Sequence, residues 1–448
     1  MSIKTLFRIF AAISLLGVLS GCRGAGLQMS YCSADISTTG DEHTMLAGFA
    51  ARDHLHDGIH SQLYTHCLVL GDGTQKVCII SNDLMEISPA LSDTLRNSIA
   101  EKSGLAKDNI LMHNIHTHSA PRSGGWCNVP GGPNRAWTDR MKETVVANAV
   151  KAIQAEGQPF TLEIGKGAST INGNRCEKGG PADHDVYVAR FLQKGKPVVS
   201  IINFACHPVC MGPGSYLLSS DYPGVNARYL SEAWGGEVFQ LTGAAGNMDP
   251  ALGPKDVAYA EQCGKELADA LVDIPFEKLK SRGLLRLVNE TVDLPYQIDV
   301  ITPEVVKRHA DSLASAAKTV FPRFADDVRG WEEEILARFD NGPVPSKLRY
   351  HLHALNLDGV VFFFSDGEPF CEYQMEARAA FPDRTVFFAG YTNGQNSYLP
   401  SGRAYEVRKG YEYEVEQMHV YIKAPYPLSD KMPAVYSNAV VKTIAEVL

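Results

Sequence analysis

The chain has 448 residues, with 42 Lys plus Arg against 51 Asp plus Glu, a formal net charge of −9, and a hydrophobic content of 45%. This apolar content is enough for a sizeable core, which excludes a disordered tail, a collagen-like fibre and a small disulfide-stapled scaffold. The acidic balance, without a block of Lys and Arg, argues against a nucleic-acid partner. One large domain or two ordinary domains would fit the length.

The N-terminal segment predicts export. Lys4 and Arg8 precede an apolar run over residues 9–18, which has the length of a signal-peptide core and is too short to span a bilayer. The run ends in Leu19-Ser20-Gly21-Cys22, which is similar to a bacterial lipobox. We therefore expect residues 1–22 to be a signal peptide with a lipobox and Cys22 to carry a membrane anchor, in the periplasm or at the cell surface. An uncleaved anchor or an ordinary signal peptide is the alternative.

Strand and helix patterns alternate along the rest of the chain. Runs over 63–70 and 76–81, joined by Gly71-Asp72-Gly73, predict a β-hairpin. The further predicted elements are a helix over 88–102, a strand over 109–116, a strand over 198–204, a helix over 256–272, a helix-favouring segment over 303–339, and strands over 360–364 and 385–389. No repeat or Pro/Ser linker marks a boundary. The pattern predicts an α/β fold, a mixed β-sheet core flanked by helices, in one large catalytic domain over residues 23–448.

The strongest chemical motif is Asn114-Ile115-His116-Thr117-His118 at the end of a predicted strand. Because side chains alternate along a strand, we expect His116 and His118 to share one face and to point into one cleft. Imidazole is a common zinc ligand and moves protons near neutral pH. An isolated pair of this kind is also typical of hydrogen-bonded histidines at a strand end.

Three further segments place polar side chains directly after apolar strands. They are residues 203–208, which contain His207, residues 365–370, which contain Glu368, and residues 391–400, which contain Tyr398. In α/β folds the loops beyond the strand ends are where ligands gather. Each segment alone is typical of an ordinary turn between secondary-structure elements.

Together, the motifs of this chain resemble those of the neutral/alkaline non-lysosomal ceramidase family. The matching motifs, in family order, are Asn-Ile-His-Thr-His-Ser at 114–119, Asn-Phe-Ala-x-His at 203–207, Ser-Ser-Asp-Tyr-Pro-Gly at 219–224, Gly-Asn-Met-Asp-Pro at 246–250, Gly-Glu-Pro-Phe at 367–370 and Tyr-Leu-Pro at 398–400. The resemblance extends from about residue 33 to residue 413 and implies a zinc amidase that acts on a lipid.

The resemblance also implies a role for individual residues. The implied zinc ligands are His116, His207, Glu368 and Tyr398. The implied catalytic residues are His118, which handles protons, Arg175, which is the active-site arginine, and Tyr411, which contacts the substrate carbonyl. Three or four nitrogen and oxygen ligands with an open position let Zn²⁺ activate water at neutral pH. The expected reaction is hydrolysis of the amide (N-acyl) bond of ceramide or a related N-acyl lipid by zinc-activated water.

Two alternatives stay open beside this function. Known ceramidases carry an additional C-terminal β-sandwich, whereas this sequence ends at Leu448 soon after the last motif. The substrate could therefore be an acylated glycan or another small amide or ester, cleaved by the same zinc site. The chain could also be a non-catalytic surface binding protein on the same fold. A long apolar groove would favour an acyl chain, and a cleft with stacked aromatic rings would favour a sugar.

Overall fold

The computed structural model describes residues 26–123, 134–251, 253–317 and 322–448. The predicted signal peptide and Cys22 lie outside the described residues. The described strands, in chain order, are β1 (Gln28–Asp35), β2 (Gly58–Ile59), β3 (Tyr64–Gly71), β4 (Lys76–Asn82), β5 (Ile110–Asn114), β6 (Gln158–Pro159), β7 (Thr161–Ala168), β8 (Asn172–Asn174), β9 (Asp185–Gln193), β10 (Lys196–Phe204), β11 (Leu217–Leu218), β12 (Glu237–Thr242), β13 (Met248–Pro250), β14 (Phe276–Lys278), β15 (Leu285–Pro295), β16 (Lys347–Leu357), β17 (Val360–Ser365), β18 (Glu368–Pro369), β19 (Val386–Ala389) and β20 (Tyr398–Leu399).

Helices are interspersed with these strands. The described α-helices are α1 (Pro89–Ser103), α2 (Arg135–Gln154), α3 (Asp221–Trp234), α4 (Val257–Leu271), α5 (Pro303–Ala317), α6 (Pro322–Arg338), α7 (Cys371–Ala380), α8 (Gly402–Val407), α9 (Met418–Tyr421) and α10 (Met432–Val447). Short 3₁₀ helices cover Lys107–Asn109 and Phe339–Asn341, and a π-helix covers Tyr413–Gln417. Among the described residues, no helix is both long enough and apolar enough to cross a membrane.

Local sequence signals explain the first hairpin and the first helix. The Asp72 side chain accepts hydrogen bonds from the backbone N–H groups of Thr74 and Gln75, which closes the turn between β3 and β4. The Ser88 side chain caps α1, and Gly104 ends it with a φ of 78°, in the left-handed region that glycine adopts without strain. Both predicted elements are confirmed.

Three larger sheets form the framework. Their strand orders are β5-β4-β3-β1-β6, β12-β10-β9-β7-β14 and β15-β16-β17-β19. Each sheet is mostly antiparallel but ends in a parallel pair, namely β4 with β5, β10 with β12, and β17 with β19. The predicted mixed β-sheet architecture is therefore confirmed.

The apolar core lies between the sheets and under the helices. One face of each sheet contributes to a common buried cluster, represented by Leu68, Ile201 and Phe362. The opposite faces are covered by α1 and α2 on the first sheet, α3 and α4 on the second, and α7 and α10 on the third. Each helix thus buries an apolar stripe that would otherwise face water, as layered α/β proteins require.

The strand predicted over 109–116 is shorter than expected. β5 ends at Asn114, and His116 has a φ of 72°, which is not a strand conformation. The Ile115 N–H makes the last bond of the parallel β4–β5 ladder, to the Asn82 carbonyl, whereas the His116 N–H leaves the ladder for the Leu84 carbonyl. The prediction that strand alternation puts His116 and His118 on one face is therefore wrong, and the two imidazoles meet across a left-handed backbone at His116 instead.

Candidate metal centre

His116 is held by the segment that follows β4. Its N–H donates to the Leu84 carbonyl at 2.9 Å, and its Nδ1 lies 2.8 Å from the Met85 carbonyl oxygen. Because a carbonyl oxygen only accepts, Nδ1 carries the proton and Nε2 carries a lone pair. The side chain is buried, with 2% of its surface exposed. His116 therefore presents a free nitrogen ligand inside the protein.

His207 follows β10 and is oriented in the same way. Its Nδ1 lies 2.6 Å from the Ala245 carbonyl oxygen and 3.2 Å from that of Met248, both beyond the end of β12. Its Nε2 is therefore also a lone-pair donor. Burial lowers the pKa of both His116 and His207 to about 4, so both imidazoles are neutral at pH 7. Backbone contacts at Nδ1 are typical of histidines that bind a metal through Nε2.

Glu368 supplies a fully buried carboxylate between the two histidines. Its Oε2 lies 3.0 Å from His207 Nε2 and 3.4 Å from His116 Nε2. β18 runs parallel to β20 with Glu368 opposite Tyr398, and the Gln395 amide donates to Oε1. Burial raises the pKa of Glu368, whereas the positive charge of Arg175 and the hydrogen bond from Tyr398 lower it.

The donor set fits a metal ion. The lone pair of His207 Nε2 and the carboxylate oxygen of Glu368 face each other at 3.0 Å, which is repulsive unless a proton or a cation lies between them. Imidazole nitrogen and carboxylate oxygen are the usual non-thiolate ligands of zinc, and the phenol oxygen of Tyr398 lies beside them. These residues could therefore hold a divalent transition metal.

His118 completes a cluster of three histidines. Its N–H donates to the Pro208 carbonyl at 3.1 Å, and its Nε2 lies 3.2 Å from His116 Nε2. The ligand atoms of His116, His118 and His207 all lie within 4.8 Å of one another. Burial, followed by the neighbouring imidazoles, holds the pKa of His118 well below its usual value. His118 can thus accept a proton or join the metal ligands.

Two residues that sequence reasoning missed support His118 from behind. A Cβ atom on Gly48 would lie 2.3 Å from His118 Cγ, so only glycine leaves room for the ring. The buried guanidinium of Arg52 donates to four backbone carbonyls, those of Ala47, His118, Gly212 and Ser215. Neither residue lies in a motif, and a glycine in a polar loop gives no sequence signal of a close approach.

Arg175 brings a positive charge to the side of Tyr398. Its Nη1 lies 3.4 Å from Asp249 Oδ1, and its Nη2 lies 3.0 Å from Glu414 Oε1. Its Cζ lies 5.3 Å from the centroid of the Tyr398 ring. Sequence reasoning missed Glu414, which lies in the π-helix beyond the last motif. The two carboxylates fix the guanidinium beside the predicted metal ligands.

Tyr411 makes different contacts from the other predicted site residues. Its hydroxyl donates to Glu177 Oε2 at 3.1 Å, and Glu177 in turn pairs with Arg403. Its ring lies beside that of Phe370, with the centroids 5.9 Å apart. The structure brings the other six predicted residues together and directs the Tyr411 hydroxyl towards Glu177. Its contact with a substrate carbonyl stays a prediction.

The fold and the site define a mixed α/β protein with a buried centre of imidazoles and one carboxylate that is suited to a metal ion. Residues 28–246 match the family model described as neutral/alkaline non-lysosomal ceramidase, N-terminal. This range includes His116, His118, Arg175 and His207. Glu368 and Tyr398 lie beyond it and are brought to the centre by the fold.

Two solved structures share the fold. Neutral ceramidase from Pseudomonas aeruginosa is 17% identical, with a TM-score of 0.66 over 94% of this chain and 74% of that chain. A ceramidase complexed with C2 is 16% identical, with a TM-score of 0.66 over 94% of this chain and 75% of that chain. The family model supports assignment of the chain to the neutral/alkaline ceramidase family and supports a hydrolase, and the two solved structures show a shared fold. The resemblance drawn from the motifs is confirmed.

Proposed function

We propose that this protein is a zinc-dependent amidohydrolase that cleaves the N-acyl bond of ceramide or a related N-acyl lipid. The observation that carries the proposal is the convergence of His116, His207 and Glu368. The Glu368 Oε2 atom lies 3.0 Å from His207 Nε2 and 3.4 Å from His116 Nε2. The family assignment supports ceramide as the substrate. Zinc is proposed because it binds imidazole nitrogen and carboxylate oxygen, and because the imidazoles of His116 and His207 are neutral at pH 7 and can bind it.

The proposed mechanism divides the work among the residues of the centre. A zinc ion held by His116, His207, Glu368 and Tyr398 would supply a Lewis acid and bring the pKa of a bound water to about 7. His118, whose Nε2 lies 3.2 Å from His116 Nε2, takes a proton from the attacking water and returns it to the leaving amine.

Arg175 stabilises the negative charge that develops on the substrate carbonyl oxygen. Its guanidinium is kept in place by Asp249 and Glu414, so it needs little reorganisation when charge develops. Tyr411 is proposed as a second contact to that oxygen, which requires its hydroxyl to leave Glu177.

The membrane anchor is a separate proposal. An acyl chain on Cys22 would hold the enzyme at the bilayer that contains its lipid substrate. Metabolic labelling with a radioactive fatty acid tests this, because wild-type protein should carry label and partition with membranes. A Cys22→Ser protein that still carries label would contradict it.

The enzymatic proposal is tested with a fluorescent-acyl ceramide and purified protein. We expect release of the fluorescent fatty acid, its loss after treatment with a chelator, and its recovery on addition of zinc. His116→Ala should bind no zinc at the centre and release no fatty acid. A protein that hydrolyses the substrate equally well with and without chelator would contradict a zinc mechanism.

A second candidate function is favoured by aromatic rings near the centre. Tyr413 is 39% exposed, its ring lies 6.1 Å from that of Tyr398, and Tyr421 and Phe324 extend the row at 5.9 Å each. Tyr413 is the exposed ring among the four and offers its face to a sugar, as in a deacylase of acylated glycans. Hydrolysis of an acetylated oligosaccharide, measured beside ceramide, separates the two substrates, and Tyr413→Ala should weaken only the glycan reaction.

A further inference from the structure

Tyr391 is packed against the histidines of the centre, although no motif assigns it a role. It lies two residues beyond the end of β19, and its ring stacks on His116 with the centroids 4.5 Å apart and the planes at 30°. The same ring meets His207 edge-on at 6.1 Å. Tyr391 therefore contacts both histidines that converge on Glu368.

The backbone of this pair is held in an unusual conformation. Tyr391 has a φ of 54° and His116 a φ of 72°, in the left-handed region that aromatic residues rarely adopt. The Tyr391 N–H donates to the Gly367 carbonyl at 2.7 Å, and its carbonyl accepts from the Asn114 N–H at 3.1 Å. Such conformations persist where surrounding bonds enforce them, and they are concentrated at functional sites.

The Tyr391 hydroxyl is buried without a hydrogen-bond partner among the described residues. The side chain is only 2% exposed, and its ring packs against the imidazoles of His116 and His207. Other buried tyrosines bond to a protein group, as Tyr405 does to the Leu428 carbonyl at 3.2 Å. A buried hydroxyl without a partner is costly unless a ligand uses it.

We propose that Tyr391 is a further catalytic residue, whose hydroxyl donates a hydrogen bond to the carbonyl oxygen of the N-acyl substrate. This inference rests on the proposed function. Tyr391 then acts beside Tyr411, whose hydroxyl has to leave Glu177 before it can reach the same oxygen. The stacked ring keeps the His116 imidazole in the plane that directs Nε2 towards Glu368.

Tyr391→Phe separates the hydroxyl from the ring, because the variant keeps the stack on His116. We expect kcat on fluorescent-acyl ceramide to fall about a hundredfold, the usual effect of removing one donor to a developing oxyanion. Zinc content should not change, and the melting temperature should stay level or rise, because a buried hydroxyl without a partner is removed. Octanoate, which mimics the carboxylate product, should bind the zinc-loaded variant more weakly in calorimetry.

The matched control is Tyr405→Phe, which removes a buried hydroxyl that has a protein partner. This control should melt at a lower temperature and keep its kcat. A Tyr391→Phe enzyme with kcat within twofold of wild type would overturn the inference. A Tyr391→Phe protein whose melting temperature falls as far as that of the control would show a merely structural residue.

Octanoate binding keeps the inference testable if ceramide is not the substrate. If the wild-type protein does not hydrolyse ceramide, the proposed function fails, but the role of Tyr391 is still measurable. Weaker octanoate binding by Tyr391→Phe would support it. Equal binding by the two proteins, or no binding by wild type, would overturn it.

Discussion

Gly48→Ala tests whether the position of His118 governs catalysis. Gly48 has a φ of 89°, and an added Cβ would lie 2.3 Å from both Cγ and Nδ1 of His118, whereas ordinary contacts begin at 3.4 Å. The imidazole must therefore move by about 1 Å, because the backbone beside Gly48 is held by the bond from the Ala47 N–H to the Ala120 carbonyl. His116, His207 and Glu368 keep their own contacts, so zinc content should be unchanged.

The expected size of the effect follows from the geometry. A displacement of about 1 Å in a catalytic group lowers the rate about a hundredfold. A side chain in the left-handed region costs about 1–2 kcal/mol of folding free energy. Gly104→Ala is the matched control, because Gly104 has a φ of 78° and open space around its Cβ position. It should lose similar stability and no activity.

Three assays on both variants decide the outcome, namely hydrolysis of fluorescent-acyl ceramide, urea unfolding and zinc content by mass spectrometry. We expect kcat/KM to be about a hundredfold lower for Gly48→Ala and unchanged for Gly104→Ala. A kcat/KM of Gly48→Ala within twofold of wild type would contradict this expectation. Equal losses of activity in both glycine variants would refute it as well, since backbone strain alone would then explain the loss.

Further variants test the metal ligand, a buried histidine and the support of His118. Glu368→Gln should lose zinc, yet the metal-free variant should melt at a higher temperature than metal-free wild type, because its amide can donate to His207 Nε2. Burial lowers the pKa of His113, which accepts the Thr242 N–H at 2.9 Å, to about 3. The unfolded chain binds that proton near pH 6.5 and the folded protein does not, so stability falls as pH drops. Between pH 6.5 and 4.5 the wild type should lose about 2–3 kcal/mol more than His113→Gln in urea unfolding. Arg52→Lys should lower both kcat and unfolding free energy, the latter by about 1–3 kcal/mol, because lysine leaves a buried carbonyl unpaired.

Each of these predictions has a contrary outcome. Zinc bound by Glu368→Gln at one ion per chain would remove Glu368 from the ligand set. Parallel pH curves for wild type and His113→Gln would mean that His113 takes up its proton in the folded protein as well. An Arg52→Lys enzyme with unchanged kcat would mean that the four carbonyl contacts do not position His118.

The framework of the fold was predictable because its signals are local. The β3–β4 hairpin and α1 depend on neighbours within a few residues, such as Asp72 in the turn and Gly104 at the helix end. The path of the chain after β5 was not predictable in this way. Asn114 does end a strand, but the turn at His116 is enforced by carbonyls from β4 and the segment after it, which are distant in sequence. Contacts of that kind override the strand pattern.

The candidate site was predictable only in part, for a similar reason. His116, His207 and Glu368 stand in motifs, and the structure brings them together at the ends of parallel strands. Tyr391 and Glu414 lie outside the family motifs. Their contacts with His116 and Arg175 arise from packing between distant segments. Residue spacing alone does not show that the Tyr411 hydroxyl donates a hydrogen bond to Glu177.

Anomalous diffraction at the zinc edge, from crystals of the protein purified with zinc, shows whether the metal lies among His116, His207 and Glu368. We expect one strong peak about 2.0–2.1 Å from Nε2 of both His116 and His207, with the Glu368 carboxylate as a further ligand. A peak at another place in the chain, or zinc-loaded crystals with no peak among these three residues, would contradict it.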